Sequence, residues 1–121
     1  MSVNIKLTTG TYDLIREHIR RKKVTKDKEE ILAEELRNAE QMFRRDIPED
    51  TVAIDTVVTY KNHTTNEEKT VIFVSPRKSK PSKNKISILS DDGIAMLGYQ
   101  SGQIIEWPEK KLEITKVERW S

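Results

Sequence analysis

Hydrophobic positions in the first third of the chain recur at the spacing of an α-helix. Tyr12, Ile15 and Ile19 follow one another at intervals of three and four residues, which predicts a first helix with one apolar stripe. Thr8 or Thr9 can cap its amino terminus, because a threonine hydroxyl accepts a hydrogen bond from a free backbone N–H of the first turn. The other positions of this segment are mostly polar, as in a helix with one face in solvent.

The apolar spacing is lost over residues 20–26, where basic side chains crowd together, and a second helix is predicted to follow. Asp27 and Glu30 have the spacing of a capping box at its start. Pro48 disfavours helical backbone at Ile47 and is expected to end the helix. The apolar stripe of this helix consists of Ile31, Leu32, Leu36, Ala39, Met42 and Phe43. Because the link is short, we expect an antiparallel helical hairpin (coiled coil) with arms of about 20–27 Å.

Beyond Thr51 the apolar period falls toward two, the spacing of β-strands. Five strands are predicted, at residues 57–61, 70–74, 85–89, 103–107 and 112–120. Residues 90–98 predict one short helix, with Ser90 as its N-cap, acidic residues in its first turn and Gly98 at its end. Residues 77–84 are polar, basic and contain a proline, which is typical of a solvated loop.

This order of elements predicts an α+β fold. Residues 1–47 are expected to form the helical hairpin, and residues 48–121 an antiparallel β-sheet domain crossed by the short helix. At 121 residues the chain is long enough for one compact domain with such an appendage.

Composition excludes several classes of protein. The absence of cysteine removes disulfides, thiolate metal sites and a cysteine nucleophile. The 22 basic and 20 acidic residues nearly cancel, whereas a protein that binds a polyanion over its whole surface is more lopsided. Met1–Leu7 lacks the apolar run of a signal peptide, and no apolar stretch of about 18 residues predicts a membrane span. We therefore expect a soluble, cytoplasmic protein that does not contact a membrane.

The segment from Ile86 to Gly98, followed by Gly102, resembles the signature of the carboxy-terminal domain of GreA/GreB transcription elongation factors. Its most specific part is the run Ala95-Met96-Leu97-Gly98-x-x-x-Gly102. The resemblance extends over residues 47–120 and implies an FKBP-like fold for them. One or other of the two glycines is expected to have positive φ, since they bracket a turn.

The helical part is similar to the short, Rnk-like members of this superfamily (regulators of nucleoside diphosphate kinase). In those proteins, as here from Ile31 to Met42, the second helix precedes an Ile-Pro step, which in this chain is Ile47-Pro48. Two further segments fit the Rnk-like pattern better than the GreA pattern: Val74-Ser75-Pro76 and Ile105-Glu106-Trp107.

The resemblance implies that RNA polymerase is the partner. In Gre factors the equivalent region lies on the surface that grips a coiled coil at the rim of the polymerase secondary channel. Carried over to this chain, the polymerase-binding residues are Leu89, Ser90, Asp91 and Asp92. Asp91 stands where the family pattern has a proline, and residues 108–111 replace a Pro-Gly-Gly turn. Helix capping is the alternative role of the serine and the two aspartates, and it is compatible with contact because a cap lies at the surface.

The resemblance also implies a role for the hairpin. In a Gre factor, a long coiled coil carries two acidic side chains that help to hold a catalytic magnesium ion in the polymerase active centre. Here the arms are short and the predicted tip is mostly basic, consisting of Arg20, Arg21, Lys22, Lys23, Lys26, Asp27, Glu29 and Glu30. Its acidic residues are better explained by the helix dipole, which favours negative charge in the first turn of a helix. We expect a monomeric, non-catalytic regulator that binds core RNA polymerase without a metal ion, cofactor or small-molecule substrate, and does not stimulate transcript cleavage.

Two other functions remain as alternatives. The basic loop, consisting of Arg77, Lys78, Lys80, Lys83 and Lys85, can make weak contacts with nucleic acid by counterion release. An FKBP-like fold permits a prolyl isomerase, but that enzyme needs an aromatic-lined pocket and the chain has only two Trp, three Tyr and two Phe. His18 and His63 have no partner at the spacing of a metal site or a catalytic triad, and we expect both to be exposed.

Overall fold

A computed structural model describes residues 5–120 of the protein. Residues 1–4, which belong to the segment predicted not to be a signal peptide, and residue 121 lie outside the described range. The chain divides into an amino-terminal unit (Met1–Ile47) and a carboxy-terminal unit (Pro48–Ser121). The described residues form both helices and sheets, so the predicted α+β class is confirmed. None of the helices within residues 5–120 has the length and apolar character needed to cross a membrane.

The amino-terminal unit contains two helices and a small parallel sheet. In chain order its elements are β1 (Ile5–Thr8), α1 (Thr9–Arg20), α2 (Lys26–Asn38) and β2 (Ala39–Met42). β1 pairs with β2 in parallel, with Ile5 opposite Ala39. The almost fully buried side chains of the unit include Ile5, Leu7, Ile15 and Leu32.

Threonine side chains cap both helices. The Thr8 hydroxyl accepts a hydrogen bond from the Thr11 backbone N–H at 3.2 Å, which confirms one of the two predicted caps of α1. The Thr25 hydroxyl accepts a hydrogen bond from the Lys28 backbone N–H at 3.3 Å at the start of α2. The prediction that a capping box begins at Asp27 is therefore wrong. Asp27 already lies in the first turn, where the helix dipole favours its negative charge.

The second helix is shorter than the sequence predicts. It ends at Asn38, and Ala39 has extended backbone with φ of −83° and ψ of 137°, because the following residues pair with β1. The prediction that a helical stripe continues through Ala39, Met42 and Phe43 is wrong, since the first two lie in β2 and Phe43 is 63% exposed. At 1.5 Å per residue, the 12 residues of α1 and the 13 residues of α2 span only about 18 and 20 Å.

The carboxy-terminal unit is built on a five-stranded sheet. Its elements are β3 (Thr56–Asn62), β4 (Glu67–Val74), β5 (Lys85–Ser87), α3 (Asp91–Met96), β6 (Ile104–Trp107) and β7 (Lys110–Arg119). The strand order is β5-β4-β3-β7-β6, and all neighbours are antiparallel except β4 and β5. The prediction of a purely antiparallel sheet is therefore wrong at the β5 edge. Residues 75–84 cross over there through two 3₁₀ turns and return the chain in the direction of β4.

A β-bulge aligns the apolar residues of β7 with the core. The pairing with β3 shifts its register beside Thr59 and leaves Thr115 as an extra residue, whose hydroxyl donates to the Thr59 carbonyl at 3.0 Å. Strict alternation after Ile114 would turn Lys116 toward the core. With the bulge, Val117 is buried and Lys116 is exposed.

Both the sheet and α3 contribute to the core of this unit. The side chains with no exposed surface include Val52, Val58, Phe73, Val74, Ile88, Met96, Leu97, Leu112 and Ile114. All residues of α3 from Gly93 to Met96 are buried. The first turn of α3 is therefore the part of this helix that another molecule can reach.

Candidate functional site

The amino end of α3 is the accessible end of a buried helix. Ser90 has extended backbone, and its hydroxyl accepts a hydrogen bond from the Gly93 N–H at 3.2 Å, which confirms the predicted N-cap. Asp91 is exposed and Asp92 is half-buried in the first turn, while Leu89 is only 7% exposed. Of the four predicted contact residues, Asp91 therefore has the most accessible side chain. A role of the four in binding stays a prediction.

Asp92 joins α3 to two strands through a half-buried polar cluster. Its Oδ2 accepts a hydrogen bond from the Tyr60 hydroxyl on β3 at 2.5 Å. Its Oδ1 accepts one from the Lys110 ammonium on β7 at 3.0 Å. Because both carboxylate oxygens are bonded inside the protein, Asp92 orients the amino end of α3. Sequence reasoning assigned Asp92 to capping or docking and missed both of its partners.

The pKa values of Asp92 and Tyr60 shift in opposite directions. Burial alone would raise the pKa of Asp92, but hydrogen bonds from Tyr60 and Lys110, together with the charges of Lys110 and Lys69, outweigh it and lower that pKa. Burial, and then the hydrogen bond and charge of Asp92, raise the pKa of Tyr60 above its usual value. At neutral pH Asp92 is therefore a carboxylate and Tyr60 a neutral phenol.

Tyr60→Phe is expected to raise the pKa of Asp92, because the phenylalanine ring keeps the packing but cannot donate to the carboxylate. The free energy of unfolding at pH 7 should fall by about 2 kcal/mol, as for other hydrogen bonds to charged groups. The folded pKa of Asp92 is depressed, so its stabilising contribution is present above the ordinary carboxyl pKa and is lost as pH falls through the folded value. Urea denaturation across pH and NMR titration of the Asp92 carboxyl carbon measure both effects.

Tyr12→Phe is the matched control, since the Tyr12 hydroxyl lies in the other unit and contacts no carboxylate among residues 5–120. It should leave the Asp92 titration unchanged. If Tyr60→Phe also leaves that titration unchanged, the assigned hydrogen bond is wrong.

The part of the signature run that follows α3 forms a turn. Asp50, which precedes β3 in the chain, holds this turn in place. Gly98 and Gly102 both have positive φ, 83° and 86°, whereas the sequence predicted it for one of them. The Asp50 carboxylate accepts a hydrogen bond from the Gln100 side-chain amide at 3.0 Å and another from the Ser101 hydroxyl at 2.8 Å. Sequence reasoning missed Asp50, because it lies 50 residues before Gln100 and no local pattern links the two.

The predicted hairpin tip lies at the ends of α1 and α2 and in the link between them. Arg20 and Arg21 both donate to the Glu17 carboxylate, at 2.5 and 2.6 Å. The hydrogen bond from Arg20 is the main cause that lowers the pKa of Glu17. Lys22, which has a positive φ of 54°, and Lys23 are exposed in the link. The link therefore presents cationic side chains to solvent.

The acidic residues of the tip all belong to the start of α2. Asp27 and Glu30 are exposed and Glu29 is half-buried, and Lys26 is exposed at the first position of the helix. In the part of the chain that the structure describes, no three or more His, Asp or Glu side chains are grouped so that they could hold a metal ion. The acidic residues of the tip lie near the positive end of the α2 dipole, which favours negative charge and so explains their position.

Comparison with known proteins places the chain in a family. The family model described as "Transcription elongation factor, GreA/GreB, C-term" matches residues 47–119, which is more than half of the chain. The chain belongs to the GreA/GreB family. The matched residues contain α3, the glycine turn and all five strands of the large sheet.

Individual GreA/GreB proteins share about a third of their aligned residues with this chain. "Transcription elongation factor GreA" of Clostridium botulinum is 34% identical over 88 residues, which are 69% of this chain and 55% of the relative. The protein of the same name from Clostridium kluyveri is 32% identical over 71 residues, 59% of this chain and 45% of the relative. The chain thus spans about half the length of these relatives. The structure titled "Prokaryotic transcription elongation factor GreA/GreB from Nitrosomonas europaea" is 28% identical, with a TM-score of 0.73 over 97% of this chain and 99% of that one.

In this GreA/GreB-family chain, the basic loop is an ordered connection between β4 and β5. It contains two 3₁₀ turns, Pro76–Lys78 and Pro81–Lys83. The backbones of Lys80 and Lys85 exchange two hydrogen bonds, at 2.7 and 3.2 Å, which close the loop. The exposed cationic residues of the loop are Arg77, Lys78, Lys80 and Lys83. The ammonium group of Lys85 lies 4.8 Å from the centre of the Trp120 ring.

The amino-terminal unit contains a buried carboxyl group that sequence reasoning missed. Glu35 lies on α2 between Leu32 and Leu36, and its Oε2 is enclosed without a hydrogen-bond partner among the described residues. Burial raises the pKa of Glu35 to about 9, so the group is protonated at neutral pH. The signal was present in the sequence, since Glu35 follows Leu32 by three residues and Ile31 by four and so falls on the apolar stripe.

The two histidines differ in exposure, and each lies beside a hydrogen-bond acceptor. His18 Nδ1 lies 2.9 Å from the Leu14 carbonyl oxygen, and His63 Nε2 lies 2.8 Å from the Glu113 carboxylate. His63 is exposed, as predicted, whereas His18 is half-buried, so the expectation of an exposed histidine is wrong only for His18. Each is held by a neighbouring acceptor, as is common for structural histidines.

Proposed function

We propose that this chain is a short, Rnk-like elongation factor that binds core RNA polymerase at the rim of the secondary channel. Membership of the GreA/GreB family supports the choice of partner. The observation that carries the docking surface is the amino end of α3, where Asp91 is exposed while Gly93–Met96 are buried. A carboxylate on a capped, anchored helix can accept hydrogen bonds from cationic groups of a coiled coil at little entropic cost.

The proposal includes the finer features of the family. The carboxy-terminal unit is FKBP-like, α1 and α2 form an antiparallel hairpin, and the chain is a cytoplasmic monomer that catalyses no reaction. The likeness to the Nitrosomonas europaea structure over 97% of this chain supports a shared architecture.

We further propose that the bound factor does not stimulate transcript cleavage. Delivery of a magnesium ion requires carboxylate oxygens at the end of an arm long enough to reach the active centre. In this chain the helices span about 18 and 20 Å, and the link between them is cationic. The factor would therefore occupy the rim and exclude longer factors.

Binding of the full chain to core RNA polymerase tests this proposal. We expect micromolar or tighter binding in a label-transfer or gel-filtration assay, competition with a Gre factor, and no increase in cleavage of backtracked transcripts. Asp91→Lys should weaken binding by about tenfold, which corresponds to about 1.4 kcal/mol. Glu109→Lys is the matched control, because Glu109 is also exposed on the carboxy-terminal unit and the charge change is the same.

Three outcomes decide the proposal. Absence of binding at micromolar concentration excludes RNA polymerase as the partner. Equal weakening by both variants excludes the amino end of α3 as the docking surface but is consistent with RNA polymerase as the partner. Cleavage stimulated by the wild-type chain contradicts the non-cleaving role.

A further inference from the structure

We infer that the basic loop is a separate surface that binds the phosphate backbone of nucleic acid. The loop is the connection between β4 and β5 together with Lys85, the first residue of β5, and its cations are the five basic residues named above. The inference does not depend on the proposed docking of α3, because it rests on charge and order at a different part of the carboxy-terminal unit.

The cations of the loop are not neutralised by the protein. The sequence contains no acidic residue between Glu68 and Asp91. Among residues 5–120, none of the five basic side chains of the loop forms an ion pair. Elsewhere on this unit, by contrast, Lys111 lies 3.5 Å from Glu106 and Lys116 lies 3.0 Å from Glu118. A local excess of positive charge therefore persists on a chain whose net charge is only +2.

The loop is held in shape before any ligand binds. Pro76 and Pro81 each begin a 3₁₀ turn with restricted φ, and Asn84 takes the left-handed conformation with φ of 58°. The paired backbones of Lys80 and Lys85 close the base of the loop. An ordered loop loses little backbone entropy on binding, so its charges can act together on one polyanion.

The side chains of the loop suit phosphate groups better than an acidic protein face. Four of its five cations are lysines, which bind phosphate as point charges and need no fixed bidentate geometry. Ser82, which is exposed between them, adds a neutral hydroxyl donor of the kind that contacts phosphate oxygens. The aromatic and aliphatic anchors on which protein interfaces depend are absent from residues 77–85.

The contact is expected to be independent of sequence. Lysine and serine side chains at a phosphate backbone position a nucleic acid but do not distinguish its bases. Trp120, the aromatic ring beside the loop, already has Lys85 over one face. Binding should therefore be governed by counterion release and depend steeply on salt.

The experiment measures fluorescence anisotropy of a labelled 20-base-pair DNA duplex with the full chain at several salt concentrations. The double variant Lys78→Ala/Lys83→Ala should bind about tenfold more weakly at low salt, and the slope of log K against log salt should fall by about 1.8, or 0.9 for each lost phosphate contact. The control Lys111→Ala/Lys116→Ala removes the same charge from paired positions of the same unit, and should change the affinity less than about threefold. Thermal unfolding verifies that both variants fold.

Each alternative result overturns the inference. If the wild-type chain does not bind DNA at low salt, the basic loop is not a nucleic-acid-binding surface. If both double variants lose the same affinity for DNA, binding depends on net charge alone and not on the loop. Binding to polyglutamate but not to DNA, with the same dependence on the loop, assigns the surface to an acidic protein. Because no polymerase is present in the assay, none of these results bears on docking at the secondary channel.

Discussion

Gly93→Ala is expected to destabilise the carboxy-terminal unit by about 3 kcal/mol, the upper end of the usual range for an added group in a packed core. A Cβ atom at Gly93 would lie 2.4 Å from the Ile88 carbonyl oxygen, 2.7 Å from the Ile88 carbonyl carbon and 2.8 Å from the Ser87 carbonyl oxygen. All three atoms belong to the backbone, so no rotation of a side chain relieves the clash. The short helix α3 must move away from residues 87–88. Urea denaturation measures the loss.

Gly102→Ala provides the control for this prediction. A Cβ atom at Gly102 meets nothing within 4 Å, but the positive φ of 86° is unfavourable for alanine. We expect a loss of about 1 kcal/mol from backbone strain alone. If both variants lose the same stability, backbone conformation rather than the close approach of α3 explains the effect at Gly93.

The shift of α3 also has a functional consequence under the proposed mechanism. Ser90 and Asp91 lie at the end of the helix that Gly93→Ala displaces. A Gly93→Ala variant that still folds should therefore bind RNA polymerase more weakly. Gly102→Ala should reduce binding only in proportion to the fraction of protein that is unfolded.

Glu35→Gln is expected to stabilise the amino-terminal unit at pH 7 by about 3 kcal/mol. The folded pKa of about 9 lies above the ordinary value of 4.5, so the folded state retains a proton that the unfolded chain has released at pH 7. Below pH 4.5 the contribution of the Glu35 proton to the free energy of unfolding is fully present. As pH rises from 4.5 toward 9, this contribution falls by about 1.4 kcal/mol per pH unit. Glutamine keeps the shape of the side chain and remains neutral, which removes this loss.

The pH profile distinguishes this mechanism from a general effect of substitution. The difference in free energy of unfolding between Glu35→Gln and wild type should grow from pH 5 to pH 8. Glu30→Gln is the control, since Glu30 is exposed on the same helix and should give a small, nearly constant difference. A difference for Glu35→Gln that does not vary with pH would falsify the assignment of a protonated, buried carboxyl group.

The local signals of the sequence predicted local structure well. Thr8 and Ser90 cap helices as expected, because a cap depends only on a side chain and the backbone three residues later. Each predicted strand of the carboxy-terminal unit occurs, within a few residues of its predicted bounds. The glycines at 98 and 102 occupy the positive φ that the turn requires.

Predictions that depended on distant partners were less successful. Residues 39–42 have helical spacing in the sequence but form a strand, because β1 offers them free backbone groups. Asp92 was recognised as a first-turn acid, but its bond to Tyr60 crosses 32 residues. Glu35 falls on the apolar stripe, but nothing in the stripe shows whether a carboxyl group there reaches solvent.

The sequence by itself determined the backbone preferences, the apolar faces of most elements and the motif by which the family is recognised. Only the tertiary structure decided that β5 is parallel to β4, that a bulge brings Val117 into the core, and that Asp92 is bonded to two strands. The physical reason is that caps, turns and periodicity arise within a few residues. Strand direction, register and the desolvation of a carboxyl group depend on atoms that only the folded chain brings together.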